Sequence, residues 1–188
     1  MQKGAFEIAK KDATYVIEKT NCNDSPRIDE YNKNVGIPKG SPYCAASVYT
    51  WYKESAEKNK IKNPLYKTGS TSQIYINALK NPIRFKVISA RLVELGSERV
   101  QLGDILLFAS DSNFIHGHTA FVVEQLNNKG RTRDIEGNTT GSNIVTEQRE
   151  QTKASKNKGG VKWKERDISH KPKWKTIGYV RVNPDGIK

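Results

Sequence analysis

The sequence is short of sulfur, with two cysteines and one methionine in 188 residues. Two cysteines, Cys22 and Cys44, exclude a disulfide framework, which needs several bridges, and they are expected to be free thiols. No CxxC or HExxH spacing occurs, so no ready-made zinc motif is present. No apolar run reaches the roughly 18 to 20 residues of a membrane span. The opening stretch "MQKGAFEIAKKDATYVIEK" interleaves charge with apolar residues where a signal peptide carries a continuous apolar segment. The expectation is a protein without a usual leader and without a membrane span.

Acid is also scarce relative to base. Against 32 Lys and Arg stand 20 Asp and Glu, a net charge of +12. That balance favours an anionic partner such as nucleic acid, a membrane surface or an acidic polymer. The basic residues are dispersed over many segments, and no helix-turn-helix, zinc finger or aromatic RNA-binding signature accompanies them, which disfavours nucleic acid. With 35% hydrophobic and 28% charged residues the chain has an ordinary globular balance, and residues 1–188 are expected to form one domain.

Helical signals fill the first half. Phe6, Ala9, Ala13, Val16 and Ile17 recur at helical spacing, and Ser25 followed by Pro26 reads as a cap and first turn of a second helix. From Pro42 to about Lys58, Ala45, Val48, Tyr49 and Tyr52 repeat every three or four residues, giving a third helix with Cys44 at its start. A further short helix is expected at "STSQIYINALK". The second half changes character: "GDILLFAS", "GHTAFVVEQL" and "TRDIEGNT" are short β-rich runs separated by turn residues, including "NNKG" at 127–130. The region "KASKNKGGVKWKERDISHKPKWK" is expected to be a lysine-rich loop, and "TIGYVRVN" a last strand. Helices first and strands later indicate an α+β class with N-terminal helices packed on an antiparallel β-sheet.

Cys44 draws the chemistry together. A helix N-terminus favours the thiolate, and a thiolate nucleophile needs a base and a group to orient that base. Of the three histidines, His170 lies in the lysine-rich stretch, whereas His118 opens a strand. Downstream, Glu136 and Asn138 share a strand face by the period of two, and either can meet the imidazole if their strand pairs with that of His118. Cys44 would then attack a carbonyl, His118 would carry the proton to the leaving amine, and Glu136 or Asn138 would hold the ring, with helix N–H groups at the oxyanion.

Other readings of the same residues are open. His116 and His118 form a His-x-His pair that suits zinc with Cys44 or Glu136, although a fourth close ligand is wanting; His116 otherwise belongs to the rim of a groove. Tyr43 and Trp51 are candidates to line that groove, with Val48 and Tyr52 in the core. Asp104 is expected to turn the chain into a strand, and Trp163 and Trp174 either to touch glycan or nucleic acid or to pack at the sheet edge.

The ordered run "GSPYCAASVYTWY", "GDILLF", "GHTAFVV" and "IEGNTT" resembles the CHAP branch of the NlpC/P60 cysteine peptidases and amidases, with "SPRIDEYNKNVG" and "GYVRV" similar to its flanks. The resemblance spans about residues 23–183. It implies a papain-like α+β fold and a peptidoglycan hydrolase cleaving an amide bond, either an N-acetylmuramoyl-L-alanine amidase or a peptide endopeptidase. It matches Cys44 to the nucleophile, His118 to the base, Glu136 to the orienting acid and Asn138 to a supporting polar group. Gln101-Leu102 stand where the family often has proline.

No cofactor is implied and no metal: "NCNDSPRIDE" lacks the alternating acids of a strong calcium loop. The expected partner is bacterial peptidoglycan. The chain would be made in the bacterial cytoplasm and reach the wall as a phage lysin, or as a secreted antibacterial effector with an immunity protein in the producer. The alternative is a non-enzymatic basic module that binds nucleic acid or an anionic wall polymer.

Overall fold

The computed structural model describes residues 1–109, 117–140, 158–167 and 175–186. Four helices precede the strands: α1 (Gln2–Tyr15), α2 (Pro26–Val35), α3 (Cys44–Lys58) and α4 (Thr71–Lys80). Then come β1 (Phe85–Ser89), a short α5 (Ala90–Glu94), β2 (Ile105–Ala109), β3 (Gly117–Gln125), β4 (Thr132–Thr140), β5 (Gly159–Arg166) and β6 (Lys175–Val182).

Local chemistry sets the helix ends. The Ser25 hydroxyl accepts from the Ile28 N–H, Pro26 occupies the first turn of α2, and Gly36 at φ 80° closes the helix in the left-handed region. Ser70 caps α4 in the same way through the Gln73 N–H. α3 differs, because its N-cap residue Tyr43 offers no side-chain acceptor. The donors at the start of α3 therefore remain available beside Cys44.

The six strands form one sheet in the order β1-β6-β2-β3-β4-β5, with every neighbouring pair antiparallel. This is the α+β arrangement that the order of elements implies. β2 is buried along its whole length, which is why "ILLFA" reads as a continuous apolar run. One of its faces, with Ile105 and Leu107, joins Phe121, Ile135, Val161 and Val180 under the helices. Its other face, with Leu106 and Phe108, packs with Ala120, Val122, Tyr179 and Val93.

A buried polar knot ties the helical layer. Asp12 accepts from the Tyr31 hydroxyl at 2.6 Å, the Trp51 indole N–H at 2.8 Å and Arg27 at 2.9 Å, so one carboxylate joins α1, α2 and α3. Four partners on a carboxylate 1% exposed compensate for its desolvation, the Tyr15 hydroxyl being the fourth.

Two parts of the second half differ from the sequence expectation. The lysine-rich stretch is not all loop, because β5 runs through it and pairs with β4 from Thr132↔Arg166 to Thr140↔Gly159. Its lysines conceal the alternation: Val161 enters the core, and Lys162 is itself fully buried. β1 and α5 were not anticipated either; β1 pairs with β6 at the far edge of the sheet. Trp163 packs edge-on against Phe6 at 6.2 Å, seating α1 on the outer strand β5.

Candidate active site

Three elements converge where α3 begins. Two glycines allow the approach. A Cβ on Gly137 of β4 would stand 2.5 Å from the Ser47 Oγ and 3.2 Å from the Tyr43 ring, so β4 comes against the first turn of α3 only with glycine there. A Cβ on Gly117 would meet Thr71 at 2.7 Å, so the start of β3 can lie against α4, where the Thr71 and Thr119 hydroxyls bond at 2.7 Å. The glycines in "GH" and "EGN" thus have a packing reason beside their chemical neighbours.

Cys44, the first residue of α3, is 5% exposed and unbridged. Its thiol is hydrogen-bonded to the His118 ring and receives the backbone N–H groups of Thr119 and Ala45. His118, the second residue of β3, places Nε2 2.9 Å from Oε2 of Glu136. With Nε2 taken, the other ring nitrogen is left for the thiol. Glu136, from the middle of β4, is fully buried, and the two groups lie on adjacent strands within diagonal reach.

A residue that the sequence reading passed over completes the cluster. Arg166, at the end of β5, donates through Nε to Oε1 and through Nη2 to Oε2 of Glu136, both at 2.5 Å. Its guanidinium carbon lies 5.5 Å from the centre of the Phe108 ring, and Phe108 in turn stacks on His118 with centroids 6.1 Å apart and planes 27° from parallel.

Burial is the largest influence on each of the three titrating groups, and it opposes charge on all of them. The specific contacts prevail. For Cys44, the His118 hydrogen bond and charge, with the two backbone N–H groups, bring the thiol below its ordinary value. The Glu136 charge and the bond to Cys44 raise His118 to about 10. His118 and Arg166 together hold Glu136 at about 2. The favoured state is a thiolate beside an imidazolium, backed by a carboxylate and a guanidinium. Asp134, buried two residues before Glu136, is pushed well above the usual carboxylate range by burial and by the Glu136 charge.

The site opens into a cleft of about 410 Å³. Phe108, His118, Asn138 and Arg166 line one part, and Glu18, Asn21 and Asn23 another. The second wall is the connection between α1 and α2, held to β5 by the Glu18 N–H to the Gly159 carbonyl and by Gly159 N–H to the Asn21 side chain.

The remaining expected site residues fall differently. Asn138 lines the cleft, but the period of two does not put it there: the β4–β5 register shifts between Glu136 and Thr139, and Asn138 takes φ 57°. Its backbone N–H is directed to the Tyr43 hydroxyl. Tyr43 and Trp51 are both fully buried, which corrects their expected place on the groove. Tyr43 reaches the cleft only indirectly, donating its hydroxyl to Glu18 at 3.0 Å, and Trp51 serves the Asp12 knot because α1 and α2 cover that side of α3. His116 lies outside the described residues, as do His170 and Trp174. Asp104 is structural: Arg181 clamps it in the turn before β2. Among the described residues no group of three or more His, Cys, Asp or Glu is placed to hold a metal ion, and no helix is long and apolar enough to cross a membrane.

No protein-family model matches this sequence, and no curated protein matches it significantly. Among solved structures, it is similar to the crystal structure of a wild-type endolysin, LysIME-EF1, with a TM-score of 0.51 and 10% sequence identity. The alignment covers 96% of this chain and 63% of that one, so the present chain spans just under two thirds of the endolysin's length. At that identity the likeness is one of fold.

Proposed function

We propose that this chain is a cell-wall hydrolase that cleaves an amide bond in bacterial peptidoglycan with Cys44 as nucleophile, in the manner of the CHAP and NlpC/P60 enzymes. The observation that carries the reading is a thiol bonded to an imidazole whose far nitrogen is held, 2.9 Å away, by a buried carboxylate. The endolysin-like fold directs the choice of substrate to the wall.

In this reading the Cys44 thiolate adds to the carbonyl carbon of the scissile amide. Negative charge gathers on the carbonyl oxygen, where the Cys44 backbone N–H and the N-terminal end of α3 are available to receive it. The His118 imidazolium gives its proton to the leaving nitrogen, the C–N bond breaks, and an acyl-enzyme forms. His118, now neutral, takes a proton from water, the hydroxide attacks the thioester, and Cys44 leaves as thiolate while the ring regains its charge. Glu136 keeps the ring in position and stabilises its cationic form. Asn138 supports the substrate from the cleft. Residues 1–188 act as one catalytic unit, as a phage lysin or a secreted effector, and the bond cut is the sugar-peptide amide or a peptide link.

The test is digestion of purified peptidoglycan by the wild type and by Cys44→Ala, with fragments and new termini read by mass spectrometry. Soluble fragments bearing a new amine and a new carboxylate from the wild type alone are expected. No release by either protein, from several wall types and with reductant present, contradicts the reading.

A further inference from the structure

Glu136 is fully buried and accepts from two sides. His118 uses one oxygen, and the Nε and Nη2 of Arg166 take both in a forked contact. A bidentate guanidinium fixes the plane of a carboxylate as well as its charge, which a lysine ammonium cannot do. The same guanidinium covers the Phe108 ring, whose stacking partner is His118. Arg166 therefore acts on the imidazole along two routes, through the carboxylate at its edge and through the phenyl ring at its face.

We propose that Arg166 is a positioning residue of the hydrolytic site: it clamps Glu136 and, with Phe108, sets the plane in which His118 meets Cys44. The proposal rests on the hydrolase reading above. Its placement is a matter of strand register. Arg166 lies opposite Thr132, and Lys162 opposite Glu136, so the arginine must extend back along the face shared by β4 and β5 to reach the carboxylate. Arg166 also lines the cleft, so a direct contact with substrate is the competing role to be separated from positioning.

The experiment compares Arg166→Lys and Arg166→Met with the wild type in kcat, KM and pH profile for fragment release, alongside nitrogen NMR of the His118 ring and circular dichroism. Displacing an imidazole by a fraction of its working geometry costs about 10- to 100-fold, so kcat falls by that factor in Arg166→Lys and further in Arg166→Met, with KM nearly unchanged. Because Arg166 helps to keep Glu136 ionised, the acid limb of the profile moves to higher pH in Arg166→Met. Added guanidinium ion restores part of the kcat of that variant.

Three results overturn the proposal: a raised KM with kcat intact, which makes Arg166 a substrate contact; full activity in Arg166→Lys, which makes the fork irrelevant; or losses that track only the unfolded fraction. Should the wild type itself release nothing, the hydrolase reading fails separately. The His118 ring spectra then still decide whether Arg166 positions the imidazole, since an unchanged ring in Arg166→Met refutes it without any substrate.

Discussion

Replacing Glu136 with glutamine removes a charge from the fully buried middle of the site while keeping most of its shape. Opposite unit charges 2.9 Å apart, as in His118 and Glu136, attract by about 6 kcal/mol at an effective dielectric of about 20. That corresponds to about 4 pKa units. The figure agrees in size with the rise of His118 from 6.5 to about 10, against which burial acts. In Glu136→Gln, His118 accordingly returns to its ordinary range or below it. The imidazolium no longer supports the thiolate, and burial, the largest influence on Cys44, pushes the thiol up.

Ultraviolet thiolate absorbance, followed against pH with Cys44→Ala as the blank for Cys22, reads this directly. The wild type shows the Cys44 thiolate at neutral pH, and Glu136→Gln does not. Activity falls by about 10²- to 10⁴-fold, the range of a positioned acid-base group.

Stability gives an independent check. His118 is raised on folding, so its contribution is complete below pH 6.5 and is lost as pH rises through about 10. Glu136 is lowered, so its contribution is complete above 4.5 and is lost as pH falls through about 2. The destabilisation of Glu136→Gln in urea is therefore largest between those limits, from about pH 4.5 to 6.5, and shrinks on either side. A thiolate titration that the substitution leaves in place, or a destabilisation independent of pH, refutes the electrostatic account of the site.

Other substitutions test the scaffold. Gly137→Ala sets a methyl 2.5 Å from the Ser47 Oγ; it should cost about 1–3 kcal/mol in urea unfolding and depress activity, with Ser47→Gly in the same chain restoring part of both. Asp12→Ala strips Arg27, Tyr31 and Trp51 of their shared acceptor and should cost about 3–5 kcal/mol, a value that chemical denaturation measures. Tyr43→Phe removes the hydroxyl that holds Glu18, for a stability loss of about 1 kcal/mol; if Glu18 matters to substrate, KM rises while kcat stays, and an unchanged KM assigns that contact to structure alone.

Helices were legible where amphipathic spacing and caps coincide, as at Ser25-Pro26 of α2. β2, β3 and β4 were legible from β-rich runs between turns, and their order brought His118 and Glu136 to adjacent strands. β5 was not, because Lys162 and Lys164 lend it the composition of a loop although the sheet buries Lys162. Arg166 was hidden with it: only the alternation of Val161, Trp163 and Glu165 with Lys162, Lys164 and Arg166 could have marked the strand and the face that meets Glu136.

Tyr43 and Trp51 were misplaced for a different reason. Periodicity gives the faces of a helix, whereas which face is covered depends on α1 and α2 closing over α3 around Asp12. Asn138 shows the converse, reaching the cleft through a register shift that no alternation rule anticipates.

The most direct test of Cys44 as the nucleophile in an amide cleavage is to trap the intermediate: rapid mixing of the reduced protein with peptidoglycan fragments, acid quench, and peptide mass spectrometry of residues around Cys44. A transient mass increase on Cys44 is expected, equal to the acyl half of the cleaved substrate, which accumulates to higher occupancy when attack by water is slowed and is absent from Cys44→Ala. Product formation by the wild type with Cys44 never acylated, or undiminished product from Cys44→Ala, would contradict it.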